Sequence, residues 1–162
     1  MDIVGFLDNI THNGALVTFI ISMIPVIELR GAIPIGISLG LSKTSALCIA
    51  IIGNMLPVPF IIVFIREIFA FMRKRMPFLE NFVSKMEHKV ETKRDFIYKW
   101  QLLGLALVVA VPLPGTGAWT GALIAALMDI RLSRAVPSIF LGIVVAGLLV
   151  TGITFGFGSI FA

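Results

Sequence analysis

The chain has 162 residues, 58% apolar and 14% charged, with a mean hydropathy of +1.04. Soluble domains carry about 25% charge and about 45–50% apolar residues, so water is excluded as the solvent for most of this surface and one polytopic membrane domain is expected. The net charge of +4 is confined to Arg66–Lys99, where nine bases meet five interspersed acids; no nucleic-acid motif accompanies them, and no nucleic-acid partner is expected.

Residues 2–12 place Ile3, Phe6, Leu7 and Ile10 at helical spacing and read as an interfacial segment. Their charges are acidic, which argues against a cleavable signal peptide. From Gly14 to Ile27 the chain is almost wholly apolar, then Glu28 to Pro34 breaks it, and Ile35 to Leu41 resumes. Fourteen helical residues rise about 21 Å, short of the roughly 30 Å hydrocarbon core. Segments 14–27 and 32–41 are therefore expected as the arms of a re-entrant hairpin with Pro25 and Pro34 at its tip. Residues 44–65 are long enough to span, with Pro57 and Pro59 expected to kink or unwind that helix. Cys48, the only cysteine, is expected as a small buried apolar residue.

The basic stretch carries Phe78, Leu79, Phe82, Val83, Met86 and Val90 at helical spacing, an amphipathic helix on the cytoplasmic interface that re-enters near Tyr98 and Trp100. The plan then repeats. Gln101 to Val111 is apolar, Pro112 to Gly117 breaks it with Pro112 and Pro114 at the tip, and Ala118 to Met128 resumes. A polar corner, Asp129 to Arg134, leads to a span from Ala135 to about Phe157. Pro25 and Pro112 are 87 residues apart, Gly53 and Gly142 are 89, and two extra residues in the second hairpin reconcile the offsets.

The expected fold is thus an all-α integral membrane protein of two inverted repeats, each a re-entrant helical hairpin plus a spanning helix. The repeats cover about 14–72 and 100–162, joined by a basic cytoplasmic connector at about 73–99. Lys43 is then external and Arg131 and Arg134 cytoplasmic, as the positive-inside bias prefers.

Paired broken segments in two halves of a membrane chain point to a transport site. A charge at bilayer depth costs about 2.5–3.5 kcal/mol on insertion scales, so Glu28 should face a cavity or a partner. Arg30 is near enough to be that partner if Gly31 and Pro34 unwind the backbone. Glu28 is a candidate proton carrier, since burial favours the neutral carboxyl and a guanidinium opposes this. Arg30 suits an anionic group. The alternative is a Glu–Arg pair that only pins the tip. In the second break, Pro114, Gly115, Thr116, Gly117, Trp119 and Thr120 offer backbone amides, two hydroxyls and a helix N-terminus starting near Ala118; a tight turn needing glycine is the alternative. Asn54, within a span, reads as an interhelical hydrogen-bonding residue or a cavity group. His12 and His88 lack neighbouring ligands, so no metal is expected. No cofactor signature and no catalytic set occur, and enzyme activity is not expected.

Pro25-x-x-Glu28-x-Arg30-Gly31-Ala32-Ile33-Pro34 with Pro112-Leu113-Pro114-Gly115-Thr116-Gly117-Ala118-Trp119-Thr120-Gly121 resembles the family of small multidrug export proteins, which implies export across a membrane. At greater distance the layout is similar to the DedA/VTT superfamily, whose paired hairpins carry acids and arginines and are linked to lipid or lipid-carrier flipping and proton-dependent resistance. That similarity implies that Glu28 and Arg30 meet a lipid phosphate or a small solute. Pro34-Ile35-Gly36-Ile37 lacks the superfamily's second acid, and 112–121 has no arginine.

The expectation is a transporter or flippase in the bacterial inner membrane, with 66–99 cytoplasmic. Its substrate would be small or lipid-linked and anionic, its partners membrane lipids and further copies of itself. A non-transporting scaffold whose basic loop recruits a lipid or protein, and a passive channel, are the alternatives.

Overall fold

A computed structural model describes residues 4–5, 13–75, 81, 84–85, 88, 91, 103–111 and 116–156. Among these residues the regular elements are all helical. They are α1 (Gly14–Ser22), α2 (Glu28–Ser38), α3 (Lys43–Met55), α4 (Pro57–Arg75), α5 (103–110), α6 (Ala118–Leu127) and α7 (Leu132–Phe155). Lys43–Ile65 and Leu132–Phe155 are long and apolar enough to cross a membrane, with mean hydropathies of 2.4 and 2.3. Phe60, Phe64 and Phe71 on α4 and Leu141, Val145 and Ile153 on α7 lie exposed on the outside. So large an apolar surface belongs in lipid.

Local chemistry sets the helix ends. The Asn13 side chain accepts hydrogen bonds from Ala15 N and Leu16 N and caps α1, and Ser42 caps α3 through Ser45 N. These caps satisfy donors that a helix start leaves unpaired. α2 and α6 both end in Schellman turns: Leu41 N donates to Gly36 O, and Ile130 N to Ala125 O. The left-handed residues of those turns are Gly40 and Asp129.

Several sequence expectations are corrected. The first break lies at residues 23–27, and Glu28–Ser38 is continuous helix with Pro34 inside it. Gly31 N donates to Ile27 O, so Gly31 and Pro34 do not unwind the tip. The chain turns where Pro25 disfavours helix for its predecessor. In the span, helix is interrupted at Leu56 alone and then continues to Arg75, beyond the expected end at 65. Pro57 and Pro59 sit in the first turn of α4, where a missing N–H costs little. Cys48 is exposed, not buried; it faces outward on α3, where lipid accepts an apolar side chain. The final helix starts at Leu132, three residues early. The interfacial pattern at Ile3, Phe6, Leu7 and Ile10 and the apolar positions Phe78–Val90 lie outside the described residues, as do Tyr98 and Trp100.

α1, α2 and α3 pack on one another, α6 packs on α4, and α7 touches α2, α3, α4 and α6. The core between them holds Val17, Ile21, Leu29, Ile33, Leu105, Ile124, Ile139 and Ile143, all essentially inaccessible. Two glycines permit the closest approaches to a neighbouring main chain. A Cβ at Gly53 would fall 2.6 Å from Phe19 O and overlap Ser22, while one at Gly142 would fall 2.6 Å from Ala106 O and from Val109 Cβ. Ala106 and Val109 follow Phe19 and Ser22 by 87 residues, and Gly142 follows Gly53 by 89. The turn residues Gly40 and Asp129, and the starts of α3 and α7, are also 89 apart.

Candidate functional site

The two breaks meet. Glu28, the first residue of α2, is 5% exposed and adopts φ +50, a left-handed conformation uncommon outside glycine. It turns the carboxylate away from its own helix and onto the start of α6. There Trp119 N donates to Glu28 Oε1 at 3.4 Å. The N-cap of α6 is Gly117, at φ +129 and with no side chain to cap the helix; Glu28 supplies the anion from the other half. A Cβ at Gly117 would overlap the carboxylate, so glycine serves both the backbone angle and the approach. A carboxylate at this end is favoured by the helix dipole.

Arg30 reaches across the same break, to the end of α5 and to Thr116 just before α6. Its Nη2 donates to Val111 O at 3.2 Å, Thr116 O at 3.2 Å and Thr116 Oγ1 at 3.0 Å. Thr116 Oγ1 in turn donates to Val111 O at 2.6 Å. Val111 ends α5, where a helix leaves carbonyls unpaired and a cation is favoured. The second half reciprocates: Trp119 Nε1 donates to Met23 O, the C-cap carbonyl of α1, at 3.1 Å. Arg30 and Trp119 are 89 residues apart, as are Glu28 and Gly117. Equivalent positions thus clasp each other's helix ends.

The remaining expected site residues distribute unevenly. Pro25 is exposed at the turn. Gly31 packs closely on Ile27, and Pro34 lies six residues along α2 from Glu28, away from the clasp. Thr120 is half-buried in the first turn of α6. Pro112, Pro114 and Gly115 lie outside the described residues. Asn54 is fully buried on α3, and neither its Oδ1 nor its Nδ2 has a hydrogen-bond partner. A buried unsatisfied polar group costs about 1–3 kcal/mol.

Sequence reasoning missed Met23 O and Val111 O, because main-chain acceptors have no residue signature. Their signal is positional: each lies where a helix ends against a break. Among the described residues no group of three or more His, Cys, Asp or Glu is placed to hold a metal ion.

Residues 28–149, from Glu28 at the start of α2 through the second break to the last helix, match the family model "Putative small multi-drug export protein". The chain belongs to that family. No curated protein and no solved structure matches it. Family membership and the two long apolar helices make this a membrane protein of the small multidrug export type.

Proposed function

We propose that the protein is a transporter whose two hairpin tips, clasped in this conformation, part to admit substrate between them. The observation that carries the reading is the clasp itself. A buried carboxylate and a guanidinium from one half occupy helix ends of the other, in a chain whose surface belongs in lipid. Broken helices whose ends face each other across two repeats are the arrangement by which membrane transporters bind charged solutes.

The chemistry favours an anionic substrate, small or lipid-linked. Its negative group replaces Glu28 at the positive end of α6 and engages Arg30 when that side chain leaves Val111 and Thr116. Protonation of Glu28 removes the negative charge competing for that seat, so a proton and the anion travel together. The matching spacings, 87 residues between α1 and α5 and 89 from the clasp onward, together with the reciprocal clasp, support two inverted repeats related by a pseudo-two-fold axis, as self-complementary contacts require. The reading places the protein in the bacterial inner membrane as a multi-pass chain with 66–99 cytoplasmic. It is not an enzyme and has no nucleic-acid partner. So small a chain encloses little volume by itself, and a homo-oligomer in contact with membrane lipids completes the assembly.

Purified protein in vesicles of phosphatidylethanolamine and phosphatidylglycerol tests this. Carboxyfluorescein serves as an anionic probe and ethidium as a cationic one, with and without a proton gradient. Gradient-dependent movement of carboxyfluorescein, lost at least tenfold in both Glu28→Gln and Arg30→Ala, is expected. Wild-type flux in both variants would remove these residues from the mechanism, and movement of ethidium alone would overturn the anionic assignment. Linear, non-saturating flux would favour a channel. Loss of function on replacing the connector's bases by Gln, with both tip variants active, would favour a scaffold.

A further inference from the structure

Asn54 is unlike the other buried polar residues described. Thr18, Ser22 and Thr151 satisfy their hydroxyls on main-chain carbonyls, and Glu28 accepts from Trp119. Asn54 is 0% exposed with both amide atoms unpaired. The fold does not need an amide there. The equivalent position in the second half, 89 residues on, is Ile143, which is also 0% exposed.

Its place in the bundle gives the orphaned amide a meaning. Asn54 follows Gly53, whose Cα packs on Phe19 and Ser22 at the end of α1. The next residue after Ser22 is Met23, the carbonyl held by Trp119. Asn54 therefore follows the residue that packs on the end of α1, next to the carbonyl the clasp holds. On α3 it shares a face with Leu47 and Ala50, both buried, and Leu47 abuts Gly147 of α7. This face looks into the bundle and not toward lipid.

We infer that Asn54 belongs to a polar binding cavity that exists only when the two tips have parted, and that it takes a group of the solute able both to donate and to accept hydrogen bonds. The inference rests on the transporter reading and adds to it a second kind of recognition. A primary amide offers two N–H donors beside an acceptor oxygen. A carboxylate or a fully ionised phosphate satisfies only the former and a cation only the latter, whereas a hydroxyl or an amide satisfies both. The transported anion thus carries a hydroxyl or amide group, set against Asn54 while its charge meets Arg30.

Cysteine accessibility tests this, because Cys48 is the only thiol to remove. In a Cys48→Ala background, Asn54→Cys and Ala50→Cys are reconstituted in the same vesicles and exposed to a membrane-impermeant, sulfonated methanethiosulfonate. Both positions are 0% exposed in the clasped structure. Labelling at 54 at least tenfold faster than at 50 is expected, faster still when Arg30→Ala unties the tips. Carboxyfluorescein flux should already fall in Asn54→Cys relative to the Cys48→Ala parent, and the attached label should cut what remains at least tenfold. Equal rates at 54 and 50, no acceleration by Arg30→Ala, or labelling without loss of flux would overturn the inference. Asn54→Leu should unfold no lower in temperature than the parent; a fall of several degrees would show that the amide is already satisfied, and would also overturn it. Flux in the parent with position 54 unlabelled removes this cavity but leaves the transporter. Labelling at 54 in a protein that moves no dye does the reverse.

Discussion

Gly117→Ala is the sharpest single perturbation of the clasp. The position adopts φ +129 and ψ −169, a region open essentially to glycine, and an L side chain there costs about 1–3 kcal/mol. The added Cβ also overlaps the Glu28 carboxylate, which must withdraw and leave the α6 start uncapped. Loss of an N-cap costs about 0.5–2 kcal/mol, so the total is roughly 2–5 kcal/mol. At about 2–4 °C per kcal/mol for a chain of this size, the unfolding temperature in detergent should fall by roughly 4–20 °C. A double-mutant cycle isolates the contact, because Glu28→Ala removes the overlap but not the backbone strain. Gly117→Ala should then be about 0.5–2 kcal/mol less damaging in the Glu28→Ala background than in the parent. Equilibrium unfolding in mixed micelles, followed by far-ultraviolet circular dichroism, supplies the four free energies. Additivity within about 0.5 kcal/mol, or a Gly117→Ala protein as stable as the parent, would refute the reasoning.

Other contacts of the clasp and core make further predictions. Thr116→Val keeps the shape but removes an acceptor of Arg30 and a donor to Val111; it should cost about 1–3 kcal/mol in the same unfolding assay and add little once Arg30 is Ala. Trp119→Phe removes the bond to Met23 O together with part of the ring's packing and should cost at least about 0.5–1.5 kcal/mol, with the α-helical circular dichroism unchanged. Gly53→Ala and Gly142→Ala each drive a Cβ into a main-chain carbonyl that cannot turn aside. Each should destabilise by more than about 2 kcal/mol, visible as reduced folded yield in detergent. A marked difference between the two would count against treating the halves as copies.

The sequence made the helical segments legible, because runs of apolar residues between proline, glycine and charge leave few other solutions in lipid. It also brought the two breaks together through their matching spacing. The position of the first break was misread, since Glu28, Arg30, Gly31 and Pro34 look like interruptions when only side chains are considered. The backbone turns at residues 23–27 instead, and a helix tolerates the proline six residues into α2. The partner of Arg30 was legible only as a demand. Residues two apart on a helix point to different faces, and once 28–38 is helical the two charges meet different sides of the second break. Cys48 was misplaced for a related reason: apolar character marks a core residue in water but marks either core or surface in a bilayer.

Under the proposed transport cycle, charges that address main-chain groups have a consequence for how the site opens. A pair of side chains that satisfied only each other would separate with its halves and leave two isolated ions. Here, parting the tips frees the start of α6, the end of α5 and the end of α1 together with Glu28, Arg30 and Trp119. Each helix end carries unpaired donors or acceptors that hydrocarbon cannot satisfy. In that cycle the open form is stable only when water or a solute with matching charge takes those ends. Asn54, already unpaired in the clasped form, favours the same transition, because it gains a partner only when the cavity fills.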